Sequence, residues 1–160
     1  MNKAYLLTGG NMGDRLLNLE LAKKEIAIQC GKVTQASSLY ETAAWGNTNQ
    51  PSFLNQALEI KTLLNAKQLI RCILKIEKMM GRTRKEKYGP RIIDIDILLF
   101  NTGIYDYTFL KIPHPELQNR RFALLPLAEI AEEMIHPVFN KTIARLLNEC
   151  TDELEVKKYS

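Results

Sequence analysis

No stretch of the chain approaches the roughly 18 consecutive apolar residues that a membrane-spanning helix requires. The apolar run at residues 4–7 is also shorter than the core of a secretory signal. A cytoplasmic protein that makes no membrane contact is therefore expected. Cysteine is scarce: Cys30, Cys72 and Cys150 are odd in number, far apart, and spaced neither as zinc ligands nor as a redox pair. They read as three reduced thiols. Gly9-Gly10-Asn11-Met12-Gly13 is glycine-rich, but no Gly-Lys-Ser/Thr follows, which excludes a phosphate-binding P-loop and leaves a tight strand-to-helix turn. A nucleophile elbow and internal repeats are absent too, removing serine-hydrolase and solenoid classes.

What is present fits one compact domain over residues 1–160: the chain is 46% apolar with ordinary aromatic and charged fractions. The net charge of +4 is concentrated. Arg82, Arg84, Lys85, Lys87 and Arg91 face a single acid, Glu86, within ten residues, so the rest of the chain is neutral. Such a segment suits a polyanion, although a solvated surface loop has the same composition.

Hydrophobic periodicity gives the elements. Residues 4–8 read as a strand. Asp14 caps a helix over residues 15–29 with Leu16, Leu19, Ala22 and Ile26 on one side. Residues 33–42 and 53–63 read as a long hairpin around a loop at 43–51 that holds Trp45. Asn65 and Gln68 form a capping-box pattern before a helix whose stripe is Leu69, Ile70, Ile73, Leu74 and Met80, and which Gly81 stops. Residues 92–100 read as a strand, residues 103–112 as weaker extended structure, and residues 121–132 and 143–148 as helices. The order strand–helix–strand–strand–helix–strand predicts an α+β, ferredoxin-like (split βαβ) fold: an antiparallel sheet with packed helices and C-terminal additions.

Four features carry chemistry. In Ile93-Asp94-Ile95-Asp96-Ile97, period two puts both carboxylates on one face, about 6–7 Å apart at their Cα atoms, and the isoleucines on the other. Two like charges side by side call for a cation, and Mg²⁺ takes one or two carboxylates with phosphate oxygens and water. In Phe53-Leu54-Asn55 a ring and an amide share a face, which suits a flat heterocycle that stacks and is read along its edge; an ordinary half-buried strand has the same pattern. Pro113-His114-Pro115 stiffens a histidine near Arg120, which could grip phosphate; the alternative is a rigid surface turn. Glu77 falls on the buried stripe of its helix and needs a partner, expected to be an arginine of the basic segment.

These features occur together in one family. Thr42-Ala43-Ala44-Trp45-Gly46, Gln50-Pro51-Ser52-Phe53-Leu54-Asn55, Gly81-Arg82, Gly89-Pro90-Arg91-Ile92-Ile93-Asp94-Ile95-Asp96, and Pro113-His114-Pro115 with Arg120 and Phe122 resemble the 6-hydroxymethyl-7,8-dihydropterin pyrophosphokinases. The resemblance runs over residues 4–137. It implies a single pyrophosphokinase domain that uses ATP and the pterin, with two Mg²⁺ ions held by Asp94 and Asp96. It implies a pterin between Phe53 and Phe122, its edge read by Asn55 and the backbone of Thr42, Ala43 and Trp45. Arg82, Arg91, His114 and Arg120 would hold the triphosphate, with Arg82 and Arg91 serving the reaction beside the two aspartates. Arg84, Lys85 and Tyr88 would belong to a flap over ATP, and Ile97 and Lys111 would border the adenosine. Ala44 stands where the family usually has proline, and Tyr88 where some members have tryptophan. A monomer is expected. Two rival readings stand beside it: a nucleic-acid-binding module of the same shape, resting on the basic segment and exposed aromatics, which would bind RNA, and a different D-x-D metal-dependent nucleotidyltransferase, which would release pyrophosphate rather than AMP. The basic charge lies in one loop rather than along a sheet, and the RNA-binding aromatic signature is missing, so no nucleic-acid partner is expected.

Overall fold

The computed structural model describes residues 1–43, 50–81 and 92–159. Strands β1 (Asn2–Gly10), β2 (Lys32–Ala36), β3 (Tyr40–Thr42), β4 (Phe53–Thr62) and β5 (Asp94–Phe100) lie with helices α1 (Arg15–Gln29) and α2 (Ala66–Met79). After a short hairpin of β6 (Tyr105–Tyr107) and β7 (Leu110–Ile112) come α3 (Arg121–Ala131), α4 (Ile143–Glu149) and a last strand, β8 (Val156–Lys158). The main sheet runs β5-β1-β4-β3-β8, with β2 also paired to β4, and each of its pairings is antiparallel. The result is a mixed α/β architecture with an antiparallel sheet and four helices among the described residues.

The sheet is buried on both sides, and alternation sorts each strand between two cores. On one side Ala4, Leu6, Leu58, Ile60, Ile95 and Ile97 pack with Leu19, Ala22 and Ile26 of α1 and Leu69, Ile73 and Ile76 of α2. On the other, Tyr5, Leu7, Leu98 and Leu99 pack with Ala123, Leu124 and Leu127 of α3 and Ile143 and Leu146 of α4. Asp14 caps α1 by accepting from Leu17 N–H at 3.1 Å. Asn65 and Gln68 exchange both capping-box hydrogen bonds at 2.8 Å. Gly81 closes α2 with φ +87°, a conformation that costs other residues dearly.

Several sequence expectations are corrected. β1 continues through Gly9 and Gly10, which are strand rather than turn. The stretch read as one strand over residues 33–42 is two, because Ser37 interrupts it: its backbone N–H donates to Ala57 O while its hydroxyl accepts from Ala57 N–H, both at 2.9 Å. A side chain there replaces a ladder bond, and three residues of one strand oppose two of β4. Leu16 is exposed rather than buried in α1. In α2 the buried stripe rotates onto Leu69, Ile73, Ile76 and Glu77, leaving Leu74 exposed. The thiols of Cys30 and Cys72, remote in sequence, come within 2.9 Å. β8 was not foreseen; it pairs with β3 and closes that edge of the sheet.

Candidate active site

β1 runs between β4 and β5, and its register decides what meets. Gly9 lies opposite Asn55 on one side and Asp94 on the other; Leu7 lies opposite Ala57 and Asp96. Thr42 lies opposite Phe53 on β3. Directly opposed residues of an antiparallel sheet project from the same face. Asp94, Asp96, Asn55, Phe53 and Thr42 therefore share one face. Asp94 and Asn55 are separated by the width of β1, two strand spacings or about 10 Å.

The crossing point is occupied by glycine for a steric reason. A Cβ on Gly9 would lie 2.2 Å from Asn55 Oδ1, so the amide lies over the space a side chain would fill. Asn55 is only 4% exposed, and its Nδ2 has no hydrogen-bond partner among the described residues. A buried amide left unpaired costs about 1–3 kcal/mol, which a ligand acceptor would return.

On the other side of β1, Asp94 and Asp96 are half-buried and line a cavity of about 380 Å³ with Ile97, Lys111 and His114. β5 is one edge of the sheet, and two contacts among the described residues hold its open side. Glu77 Oε2 accepts from Ile95 N–H at 2.7 Å, and Leu98 O accepts from His114 N–H at 3.0 Å. Among the described residues Glu77 serves the backbone between the two aspartates, and the arginines of the basic segment expected as its partner lie outside them.

His114 follows a cis Ile112–Pro113 bond. Burial, with the Arg120 charge beside it, takes the imidazole pKa down to about 4. Its Nδ1 accepts from Glu116 N–H at 3.1 Å, so the neutral ring carries its proton on Nε2. The Arg120 guanidinium carbon lies 5.6 Å from the Phe122 ring centre. Arg121 is spent otherwise: its guanidinium donates to Asp152 O and Cys150 O and its N–H to Asp152, tying the C-terminal segment to α3. Lys111 Nζ meets Asp106 Oδ1 at 2.6 Å across the β6–β7 hairpin; both groups are exposed and the pair contributes little.

Phe53 begins β4 half-buried, and Phe122 sits half-buried in the first turn of α3, against the second core. The Thr42 hydroxyl donates to Glu155 O at 2.9 Å, and β3 is flanked by β4 and β8, while Ala43 stands exposed at the strand's end. Asn11, a buried side chain, fastens the far end of that loop by donating to Gln50 Oε1 and Pro51 O at 2.8 and 2.9 Å. Arg82, Arg84, Lys85, Tyr88 and Arg91, with Ala44 and Trp45, lie outside the described residues.

Sequence reading missed Gly9 and the Glu77–Ile95 contact. It also missed Glu129, which accepts from the Tyr40 hydroxyl at 2.5 Å and Ser38 N–H at 2.6 Å and so fastens α3 over the site's face. Gly9 has a signal, its even spacing from Tyr5 and Leu7, but that signal means something only once the pairing register is known. For a metal, no group of three or more His, Cys, Asp or Glu side chains gathers among the described residues. The donor set is a carboxylate pair beside a cavity, which fits Mg²⁺ completed by phosphate oxygens and water rather than a caged ion.

The family model for 7,8-dihydro-6-hydroxymethylpterin-pyrophosphokinase (HPPK) matches residues 5–132. The 2-amino-4-hydroxy-6-hydroxymethyldihydropteridine pyrophosphokinase of Aquifex aeolicus is 40% identical over 151 residues, 94% of each chain. That of Bacillus subtilis is 43% identical over 134 residues, 83% of this chain and 80% of its own. In architecture the chain is similar to Plasmodium falciparum HPPK-DHPS, crystallised wild type with SDX-DHP, at TM-score 0.76 and 22% identity; 93% of this chain is covered, and it spans 43% of that one. By the match of its sequence to the family model and to these relatives, the chain belongs to the 7,8-dihydro-6-hydroxymethylpterin-pyrophosphokinase family.

Proposed function

We infer that this chain transfers an intact pyrophosphate group from ATP to the hydroxymethyl group of 6-hydroxymethyl-7,8-dihydropterin, yielding the pterin diphosphate and AMP, a step in folate synthesis. The observation that carries this reading is the row Asp94–Gly9–Asn55. A carboxylate pair suited to a metal–polyphosphate and an orphaned amide suited to a heterocycle's edge stand on one face about 10 Å apart.

In the reaction, the pterin hydroxyl oxygen forms a bond to the β-phosphorus while the bond from that phosphorus to the α–β bridging oxygen breaks and AMP departs. Asp94 and Asp96 would hold Mg²⁺, two ions in this reading. Bound Mg²⁺ neutralises phosphate charge and lowers the pKa of a coordinated hydroxyl. The chain's own groups position and stabilise, which carries most phosphoryl-type transfers. Asn55 Nδ2 donates to the pterin edge beside the backbone of Thr42, Ala43 and Trp45, and Phe53 and Phe122 enclose its faces. His114, through Nε2–H, and Arg120 with Arg82 and Arg91 hold the triphosphate. Ile97 and Lys111 border the adenosine, and Arg84, Lys85 and Tyr88 cover it. Glu77 keeps β5 in place. No side chain is assigned as a dedicated general base.

The strand order, with β1 and β4 central and the two βα units crossing between them, supports a ferredoxin-like core. In this reading residues 1–160 act as one domain, as a cytoplasmic monomer with no nucleic-acid partner. No described helix is long and apolar enough to cross a membrane. The test is to incubate the protein with ATP, Mg²⁺ and the hydroxymethyl pterin and separate the products. AMP and pterin diphosphate in equal amounts are expected; pyrophosphate release with a nucleotidyl-pterin would overturn the reading.

A further inference from the structure

We propose that Cys30 and Cys72 form a dithiol site that reacts with a small disulfide, such as oxidised glutathione, to close a covalent link between α1 and α2. This inference stands apart from the pyrophosphokinase reading. The two sulfurs lie 2.9 Å apart although the residues are 42 positions apart in the chain. Tertiary structure holds them there. Cys30 is the C-cap of α1: its N–H donates to Ile26 O at 2.9 Å, and its carbonyl accepts from the Thr62 hydroxyl at 2.5 Å. Cys72 sits in the middle of α2, its sulfur 3.4 Å from Gln29 O. Among the described residues no group of three or more His, Cys, Asp or Glu side chains gathers around either thiol.

The two thiols differ in a way that sets the order of events. Cys30 is buried and Cys72 is half-exposed. Burial, reinforced by Cys72 itself, pushes the Cys30 thiol well above its ordinary pKa. The nucleophile is the thiolate, so attack on an outside disulfide falls to Cys72. Its sulfur bonds to one sulfur of the oxidant; the oxidant's S–S bond breaks, and the first small thiol leaves with the proton Cys72 gave up. Cys30, already beside the mixed disulfide, loses its proton and attacks Cys72 Sγ, and the second small thiol leaves carrying that proton. Two protein thiols are oxidised to one disulfide, and one small disulfide is reduced to two thiols.

The link would bear on the site through one helix. Cys72 lies on α2 with Glu77, whose carboxylate holds Ile95 N–H between Asp94 and Asp96. Cross-linking fixes that helix to the end of α1.

The experiment exposes the folded protein to oxidised glutathione, unfolds it in an alkylating reagent, and measures intact and unreduced peptide masses. Expected are a mass about 2 Da lower before alkylation, a Cys30–Cys72 cross-linked peptide, and alkylation at Cys150 alone. Cys30→Ser should stop at a lasting glutathione adduct on Cys72, and Cys72→Ser should give neither cross-link nor adduct at Cys30. The oxidised wild type should unfold at higher urea than the reduced form, and dithiothreitol should reverse the shift. Alkylation of both Cys30 and Cys72 after exposure, or a lasting glutathione adduct on wild-type Cys72, would overturn the proposal.

Discussion

Gly9 of β1 and Asn55 of β4 share one volume: a methyl group on Gly9 would stand 2.2 Å from Asn55 Oδ1, far inside contact distance. The partner is the side chain's carboxamide, so Gly9→Ala must turn it away. We expect this variant to fold with a modest stability loss, to bind the pterin at least about tenfold more weakly, equivalent to about 1.4 kcal/mol, and to bind ATP unchanged. Calorimetry with each ligand checks this. Unchanged pterin affinity would mean that the amide does not read the ligand.

Asp96→Ala removes half of the carboxylate pair. It also relieves repulsion between neighbours on one face, so stability should hold or rise slightly. Turnover with Mg²⁺ is expected to fall by roughly 100-fold or more. Circular dichroism and AMP release, measured on the same preparation, separate the two effects; full turnover would exclude the metal role.

Glu77→Leu leaves Ile95 N–H buried without its 2.7 Å acceptor. The cost should be about 1–3 kcal/mol in urea unfolding. Glu77→Gln retains an acceptor and should restore most of it. If the leucine variant is as stable as wild type, the contact does not hold the edge strand.

His114 predicts a pH dependence whose sign is fixed. Its folded pKa, about 4, lies below the ordinary 6.5, so between those values the unfolded chain binds a proton that the folded chain refuses. The neutral ring's contribution is complete above pH 6.5 and is lost as pH falls toward 4, on the order of 3 kcal/mol. His136 is also lowered by burial, and comparison with His114→Gln isolates one ring from the other. The variant's stability should fall less steeply across this window; identical slopes would remove His114 from the account.

Phe122→Ala should weaken pterin binding by roughly threefold to tenfold, as expected for losing one stacked ring, and ATP binding much less. Equal losses for both ligands, measured by fluorescence titration, would make Phe122 a packing residue only.

The sequence by itself determined what short-range physics can express. Period two in Ile93-Asp94-Ile95-Asp96-Ile97 put both carboxylates on one face, and the buried isoleucines agree. Asn65 and Gln68 announced a helix start, and the bonds are there. The motifs around Phe53, Asn55 and His114 pointed to the family. Tertiary structure decided what depends on register and on which helix packs where. Gly9 looked like a turn until β1 was set against β4. Glu77 reaches the Ile95 amide because α2 packs along the edge of β5. Ser37 broke a strand through a bond to Ala57, twenty residues away. Arg120 and Arg121 are adjacent and alike in sequence, yet one stands beside His114 and the other is bound to the C-terminal segment. Cys30 and Cys72 became neighbours only when α1 and α2 packed on the same face. Side-chain alternation and capping are local and survive in any context, whereas partner choice across the sheet is a long-range contact that no window of sequence contains.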